Sequence, residues 1–242
     1  MAIVIAVANQ KGGCGKTTIS MNIAGALARE GNYKVLLIDA DPQASAMQWR
    51  RNSEESALPF DIQPFPHPLL HKEINKLGAN YEIVFIDCPP GGGGSSAPSG
   101  DVSREICLSA LRAADVVLVP IRPTPVDYHA SHTLLPMIRD VAFLNDKLKV
   151  FIVINGKATG RTKLGEQAIS FASDLFQIEG AYIRVLQNEI CTRQSFAQSP
   201  LEGKIVVDFD GTSKAADEIR NVTEELVQCL VNANEAQLTS AV

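Results

Sequence analysis

A glycine-rich run stands between the first apolar stretch of the chain and a segment of helical character. It reads Gln10-Lys11-Gly12-Gly13-Cys14-Gly15-Lys16-Thr17-Thr18. A strand-to-helix turn of this composition directs successive backbone N–H groups into one concavity, which suits the negative charge of a triphosphate. Lys16 is placed to reach the β- and γ-phosphates, and the Thr17 hydroxyl is placed to coordinate Mg²⁺. The run therefore predicts that residues 12–18 cradle the phosphates of a nucleotide.

Two other apolar segments end in aspartates. The segment that ends at Asp39 continues as Ala-Asp-Pro-Gln with Asp41, and a later one ends at Asp87 before Cys-Pro-Pro. An aspartate that closes a hydrophobic strand is how a P-loop protein presents a carboxylate to Mg²⁺, so Asp87 is a predicted metal residue. Asp39 and Asp41 either face the same metal or form an ordinary turn, since aspartate and proline are common turn residues.

Five apolar, β-rich runs must position these groups. They cover residues 3–8, 34–38, 83–86, 116–121 and 150–154 and alternate with segments of helical character. Apolar runs that are continuous rather than alternating indicate strands buried on both faces. The pattern predicts an α/β fold with a mostly parallel, doubly covered β-sheet, in which ligands gather at the carboxyl ends of the strands.

The remaining segments predict one domain over residues 1–231. A final helix from about 212 to 231 precedes a polar tail at 232–242, and Pro136 should break a helix that follows Thr124. Asp101 or Ser103 should cap the helix that precedes the one after Thr124. Residues 50–68 contain several prolines and read as a surface connection. Residues 91–100 are either a plain linker or a loop that reorders when the γ-phosphate is present.

Bulk properties narrow the class of protein. The chain has 242 residues, 45% hydrophobic and 20% charged, which excludes a disordered protein and a coiled coil. Its five cysteines form no C-x-x-C pair, which argues for a reducing compartment and against a zinc or disulfide framework. No apolar run approaches the roughly 20 residues that span a bilayer, so we expect a cytoplasmic protein. The net charge of −5 argues mildly against a dedicated nucleic-acid binder.

The order KGGxGKTT, with Lys11 ahead of the glycine pair and Gln10 where the ordinary pattern has glycine, resembles the deviant Walker A motif of the ParA and MinD family of ATPases. The DxDPQ sequence at Asp39 and the DCPP sequence at Asp87 are also similar to that family. The resemblance extends from Ile3 to about Val231. The sequence begins with the first predicted strand rather than with the N-terminal helix-turn-helix extension of longer partition ATPases, so we expect it to resemble short ParF-like proteins.

The resemblance implies roles for individual residues. Lys11 would cross to the phosphates of a partner subunit in an ATP-bound homodimer, and Asp41 would orient the attacking water while Asp39 supports the Mg²⁺ shell. It also implies that Asn155 contacts the adenine base, although a strand-terminal asparagine is equally a cap. The segment around Asp208 would supply the other side of the base pocket. Hydrolysis of ATP should be slow alone and stimulated by a ParB-like or other cargo adaptor.

Several functional classes share an ATPase domain of this kind. A MinD-like membrane switch needs a basic amphipathic C-terminal helix, and residues 224–242 contain no basic residue. An iron–sulfur protein needs paired cysteines, whereas Cys107 stands alone. A biosynthetic enzyme needs a substrate pocket, for which the sequence shows no candidate beyond the predicted switch loops. A nucleoid-associated partition ATPase that binds DNA non-specifically, without membrane binding, is favoured. Arg193 and Lys214 are its predicted DNA contacts, although a basic residue of this kind is more often a solvated surface charge.

Overall fold

The computed structural model describes residues 1–53, 58–91, 98–160, 167–179 and 181–240. The strands are β1 Ile3–Val7, β2 Val35–Asp39, β3 Asp61–Pro64, β4 Ile83–Asp87, β5 Val116–Ile121, β6 Lys149–Lys157, β7 Tyr182–Val185 and β8 Ile190–Cys191. The α-helices are α1 Lys16–Arg29, α2 Ser45–Arg51, α3 Leu70–Leu77, α4 Pro98–Ala113, α5 Pro125–His132, α6 Leu135–Leu144, α7 Ala168–Leu175, α8 Ser195–Gln198, α9 Val206–Phe209 and α10 Lys214–Ser240.

The strands form one sheet in the order β3-β2-β4-β1-β5-β6-β7, with β8 paired to β6, and every described pairing is parallel. The five apolar runs predicted as strands are β1, β2, β4, β5 and β6, and β2, β4 and β5 are buried along their whole length. The predicted α/β fold with a parallel, doubly covered sheet is confirmed.

Side chains of successive strand residues enter two separate cores, one on each face of the sheet. Val4 and Ala6 of β1 belong to the core covered by α3, α4, α5, α6 and α7. Ile5 and Val7 belong to the core covered by α1, α2, α9 and α10. Because both faces are covered, the carboxyl edge of the sheet is where polar groups can gather.

The register of the central strands aligns three loops at that edge. Asp39 of β2 is the register partner of Asp87 of β4, and Asp87 is the partner of Val7 of β1. The glycine-rich run follows β1 directly. Parallel pairing thus places the predicted phosphate cradle beside both predicted carboxylates.

The structure corrects three expectations about the elements. The connection at 50–68 contains the edge strand β3, in which Ile62 is buried against the sheet, and Pro64 closes it where no further pairing is needed. The helix predicted to start near Asp101 or Ser103 begins at Pro98, a residue favoured in a first turn. The final helix continues beyond 231 to Ser240, since residues 235–238 are mostly good helix formers.

Two other expectations have different outcomes. The helical break near Pro136 is confirmed, because α5 ends at His132 and α6 starts at Leu135. Residues 92–97 of the proposed switch loop lie outside the described residues, so that interpretation stays a prediction. Within the described ranges, no helix is long and apolar enough to cross a membrane.

Candidate active site

The glycine-rich loop connects β1 to α1 at the carboxyl edge of the sheet. Gly15 has φ 96°, a left-handed conformation that L side chains rarely adopt. The Asn155 side chain donates a hydrogen bond from Nδ2 to the carbonyl oxygen of Cys14 at 2.7 Å. A Cβ atom at position 15 would lie 2.1 Å from that nitrogen. Both the backbone conformation and the approach of Asn155 therefore require glycine at this position.

The two lysines of the loop have different partners. Lys16 is 7% exposed, and its Nζ donates to the backbone carbonyl oxygen of Lys11 at 3.2 Å. The Nζ atom of Lys11 lies 3.0 Å from Oδ1 of Asp127, at the start of α5. Lys16 is thus held inside the loop, whereas the ammonium group of Lys11 is held at its rim.

Asp127 is a site residue that sequence reasoning missed. It is buried, and its Oδ2 accepts a hydrogen bond from the Thr124 hydroxyl at 2.5 Å. Asn9, just before the loop, donates from Nδ2 to the carbonyl oxygen of Pro120 at 2.7 Å and to the Ser131 hydroxyl at 2.8 Å. The loop is therefore connected to both ends of α5 and to β5.

Thr17 and Asp87 meet as the sequence predicted. The Thr17 hydroxyl donates to Oδ2 of Asp87 at 2.6 Å, and the Ser20 hydroxyl donates to Oδ1 at 3.3 Å. Burial raises the pKa of Asp87 to about 7, partly offset by the Thr17 hydrogen bond. A hydroxyl and a carboxylate in contact are suitable groups for Mg²⁺, which takes oxygen ligands and keeps several waters.

This site offers Mg²⁺ few protein ligands. Among the residues that the structure describes, no group of three or more His, Cys, Asp or Glu side chains could hold a metal ion by itself. Magnesium in phosphate sites is bound by one or two protein groups together with substrate phosphates. The Thr17 and Asp87 pair fits that mode of binding.

Asp39 and Asp41 differ in environment. Asp39 is fully buried, and its carboxylate accepts hydrogen bonds from the backbone N–H groups of Met47 at 2.9 Å and Asp41 at 3.3 Å. Burial raises the pKa of Asp39. Asp41 is partly exposed, lines the cleft beside the loop, and accepts from the Gln43 N–H at 2.9 Å. Asp39 therefore shapes the turn, and Asp41 is the carboxylate that faces the cleft.

The cleft above the loop has a volume of about 530 Å³. Its lining includes the glycine-rich loop with Lys16, Thr17 and Thr18. It also includes Asn155, residues beyond β8 such as Arg193 and Phe196, and Arg122, which follows β5. Arg122 is a lining residue to which the sequence analysis gave no role in the site.

A larger cavity lies at the opposite edge of the sheet. It measures about 750 Å³ and is lined mainly by apolar residues of β1, α3 and α10. Its described lining includes neither the glycine-rich loop nor a lysine side chain. The smaller, polar cleft is the site at which the predicted chemistry can occur.

Three further predicted residues occupy separate places. The carboxylate of Asp208 forms an ion pair with Arg29 at 2.8 Å, and Asp208 is absent from the lining of the cleft. Arg193 lines the cleft and forms an ion pair with Glu218. Lys214 is exposed at the start of α10.

The cysteines Cys88 and Cys107 are both buried in the core.

Comparison with known proteins assigns the family. Residues 5–207 match the family model described as the CobQ/CobB/MinD/ParA nucleotide binding domain. The chain is 30% identical over 230 residues to the maintenance of carboxysome distribution protein A of Halothiobacillus neapolitanus, covering 93% of this chain and 97% of that protein. It is 30% identical over 252 residues to the chromosome-partitioning ATPase Soj of Thermus thermophilus, covering 92% and 94%.

A solved structure agrees with this assignment at the level of the fold. Apo McdA from Cyanothece has a TM-score of 0.71 and 17% identity to this chain, covering 93% of this chain and 100% of that one. This protein belongs to the CobQ/CobB/MinD/ParA family of nucleotide-binding proteins, and within it to the ParA and MinD group of partition and positioning ATPases.

Proposed function

We propose that this protein is a ParA-type ATPase that binds ATP with Mg²⁺, forms an ATP-dependent sandwich dimer and binds DNA non-specifically to position a cargo. The cargo is a plasmid, a chromosome segment or another cellular body. Hydrolysis is slow in the protein alone and is stimulated by a ParB-like or other adaptor. The observation that carries the proposal is the separation of the two lysines, with Lys16 inside the loop and Lys11 held at its rim by Asp127.

The residues of the loop support binding of Mg-ATP. Backbone N–H groups of residues 12–18 and the Lys16 ammonium group would hold the phosphates. Thr17 and Asp87 would hold Mg²⁺, which neutralises phosphate charge and polarises the γ-phosphoryl group. Asp41 would orient the attacking water, because it is the carboxylate that lines the cleft. Slow hydrolysis without a partner is expected where part of the charge-stabilising set is supplied from outside.

The environment of Lys11 supports a role toward a second subunit. Its side chain is 33% exposed, and its ammonium group lies against Asp127 rather than against the loop that Lys16 fills. A second ammonium group is useful when it neutralises phosphate charge that the first does not cover. A partner subunit that brings its own phosphates to this rim would meet such a group, so that dimerisation depends on the nucleotide bound.

The charge distribution supports weak rather than tight DNA binding. Several cations of the C-terminal third have acidic partners: Lys157 pairs with Glu189, Arg193 with Glu218, Lys204 with Glu202, and Arg220 with Glu30. Lys214 is exposed and forms no ion pair with any described residue. We assign Lys214 to the DNA surface, where a dimer would present two copies. The protein would then act in the cytoplasm on the nucleoid.

The relatives support the positioning role. One is named for carboxysome distribution and another for chromosome partitioning. Both names describe movement or distribution of a large body, and they do not fix which body this protein carries. The relatives therefore support a positioning ATPase that carries a large body.

Light scattering after gel filtration, together with fluorescence anisotropy on a random-sequence duplex, tests the proposal. With Mg-ATP the protein should be a dimer that binds the duplex, and binding should weaken steeply as salt rises, because phosphate contacts release counterions. Lys16→Ala should abolish nucleotide binding and both effects. A protein that with ATP sediments with anionic vesicles and ignores DNA would instead support a MinD-like membrane switch.

A further inference from the structure

Arg193 has an unusual position for a residue predicted to contact DNA. It lines the cleft that contains the glycine-rich loop, and its side chain is 23% exposed. It lies just beyond β8, whose residue Ile190 is the register partner of Asn155. The segment after β8 thus follows a strand that pairs beside Asn155, and both line the cleft.

Glu218 of α10 holds Arg193 in this position. Oε1 of Glu218 accepts from Nε of Arg193 at 3.0 Å and from Nη2 at 2.5 Å. Oε2 of Glu218 accepts from the backbone N–H of Cys191 at 3.1 Å. The Glu218 side chain is 15% exposed, so this contact is largely shielded from water. One carboxylate therefore fixes both the strand β8 and the guanidinium group beyond it.

The sheet order decides which part of a nucleotide Arg193 can reach. The phosphate loop follows β1, and β5, β6 and β8 lie beyond β1 in that order. Three strand spacings of about 4.8 Å separate β1 from β8, or roughly 14 Å. Arg193 therefore follows a strand that is three places along the sheet from the strand that carries the phosphate loop, so its side chain enters the cleft from the direction in which a nucleoside can extend away from the loop. A guanidinium group held by one edge keeps its flat faces free for stacking on an aromatic ring.

We propose that Arg193 contacts the nucleoside end of the bound nucleotide and that Glu218 is the residue that positions it. This inference rests on the proposed function, because it assumes that the cleft binds ATP. It removes Arg193 from the DNA surface and leaves Lys214 there. It also connects α10, the helix that begins with the proposed DNA contact, directly to the nucleotide.

Isothermal titration of ATP, ADP and inorganic triphosphate tests the contact. Arg193→Gln should weaken ATP and ADP binding by the same factor, roughly three- to tenfold, as for loss of a stacked cation. The affinity for inorganic triphosphate should not change, because that probe has no nucleoside. Arg193→Lys keeps the charge without the planar group and should give an intermediate loss. Lys204→Gln, at a lysine paired with Glu202 and absent from the lining of the cleft, is the matched control and should leave all three affinities unchanged.

The positioning role of Glu218 is tested with a double variant. Glu218→Gln keeps an acceptor for the Cys191 N–H and removes the charge that holds Arg193, so ATP binding should weaken less than in Arg193→Gln. The variant with both changes should bind ATP no more weakly than Arg193→Gln alone, because residues that act as a unit are not additive. Additive losses would show a structural role for Glu218 and would overturn this part.

The outcomes separate the inference from the proposed function. Arg193→Gln that binds ATP normally but loses DNA binding would overturn the inference and return Arg193 to the DNA surface. Equal loss for inorganic triphosphate would also overturn it, since the contact would then be to phosphate. If the unaltered protein bound no nucleotide, the proposed function itself would fail. Retained DNA binding by Arg193→Gln at saturating ATP would support the inference.

Discussion

The ammonium group of Lys11 lies 3.0 Å from the carboxylate of Asp127, which joins the loop after β1 to the first turn of α5. The Asp127 side chain is 9% exposed and the Lys11 side chain is 33% exposed. Thr124 donates a second hydrogen bond to the same carboxylate. The Asp127 carboxylate is thus held in place by its surroundings, whereas the Lys11 side chain is open to solvent. In the proposed dimer, the phosphates of the partner would compete with Asp127 for Lys11.

Lys11→Ala should leave ATP binding by each subunit largely intact and remove the ATP-dependent dimer. Lys16 stays in place within the loop, so the phosphates keep their own lysine. Titration of ATP and light scattering with Mg-ATP measure the two effects separately. Lys204→Ala, which removes an exposed lysine paired with Glu202, is the control. A dimer of unchanged stability in Lys11→Ala would contradict the role of Lys11 between subunits.

Asp127→Asn should strengthen the ATP-dependent dimer by about two- to fivefold. It removes the charge that competes for Lys11, and partly exposed ion pairs contribute only about 0.2–1 kcal/mol. The amide keeps an acceptor oxygen for the Thr124 hydroxyl, so the fold should be retained. Sedimentation equilibrium with Mg-ATP gives the dimer dissociation constant. A weaker dimer would show that Asp127 supports the dimer rather than competing with it.

Gly15→Ala should destabilise the protein and abolish nucleotide binding, whereas Gly12→Ala should fold normally. At position 15 the left-handed conformation alone costs alanine about 1–2 kcal/mol, and the new Cβ would meet Asn155 at 2.1 Å. At position 12 no atom lies within 4 Å of the corresponding Cβ. Thermal unfolding of both variants checks this difference. Equal unfolding temperatures would contradict it.

Local motifs explain why much of the site could be predicted. The glycine-rich run, Thr17 and Asp87 all stand at the ends of apolar strands, and parallel pairing brings such ends together. Their contact at 2.6 Å therefore needed only the correct fold class. The strands themselves were recognisable because they are buried on both faces and read as continuous apolar runs.

The residues that were missed act through partners far away in the sequence. Asp127 belongs to the site because it pairs with Lys11, and Glu218 belongs to it because it pairs with Arg193. Neither pair has a local spacing that a motif could reveal. The edge strand β3 was missed for a different reason. Only Ile62 of its four residues is buried, so it shows no apolar run, and neighbouring prolines indicated a loop.

The extent of the last helix also could not be read from hydrophobicity. Apolar periodicity fades beyond residue 231, yet the helix continues to Ser240. Residues 235–238 are mostly good helix formers, and this propensity favours continuation of the helix. The boundary at 231 was therefore predicted from the start of the polar tail, whereas the extent of the helix depends on propensity.

Asp39→Asn and Asp41→Asn should separate stability from hydrolysis. The buried Asp39 carboxylate accepts two backbone N–H groups, and an amide has one acceptor oxygen, so one N–H would lose its partner at a cost of about 1–3 kcal/mol. Asp41→Asn keeps an acceptor for the Gln43 N–H and should unfold normally. Its kcat for ATP should fall at least about 100-fold, as for loss of a positioned catalytic carboxylate. ATPase assays and thermal unfolding of both variants give the comparison, and normal turnover in Asp41→Asn would exclude Asp41 as the water-orienting group.

Asp87 should make the stability of the metal-free protein fall as pH rises from about 4 to about 7. Burial raises the pKa of Asp87 from 3.8 to about 7, so in this window the folded protein binds a proton that the unfolded chain has released. Folding is therefore favoured by the proton at low pH, and ionisation above pH 7 costs up to about 4 kcal/mol. Asp87→Asn lacks this titration and should be the more stable protein at pH 8.

Thermal unfolding in EDTA between pH 5 and pH 8 measures this effect. The quantity to compare is the Tm of Asp87→Asn minus the Tm of the unaltered protein. The difference in Tm should widen by several degrees toward pH 8, given about 2–4 °C per kcal/mol for a domain of this size. Glu202→Gln removes a carboxylate that is 53% exposed and should show no such widening. Both variants lose one carboxyl group, and of the two groups Asp87 is the buried one. Parallel curves for Asp87→Asn and the unaltered protein would mean that the Thr17 and Ser20 hydroxyls keep Asp87 ionised throughout, ready for Mg²⁺ even at acidic pH.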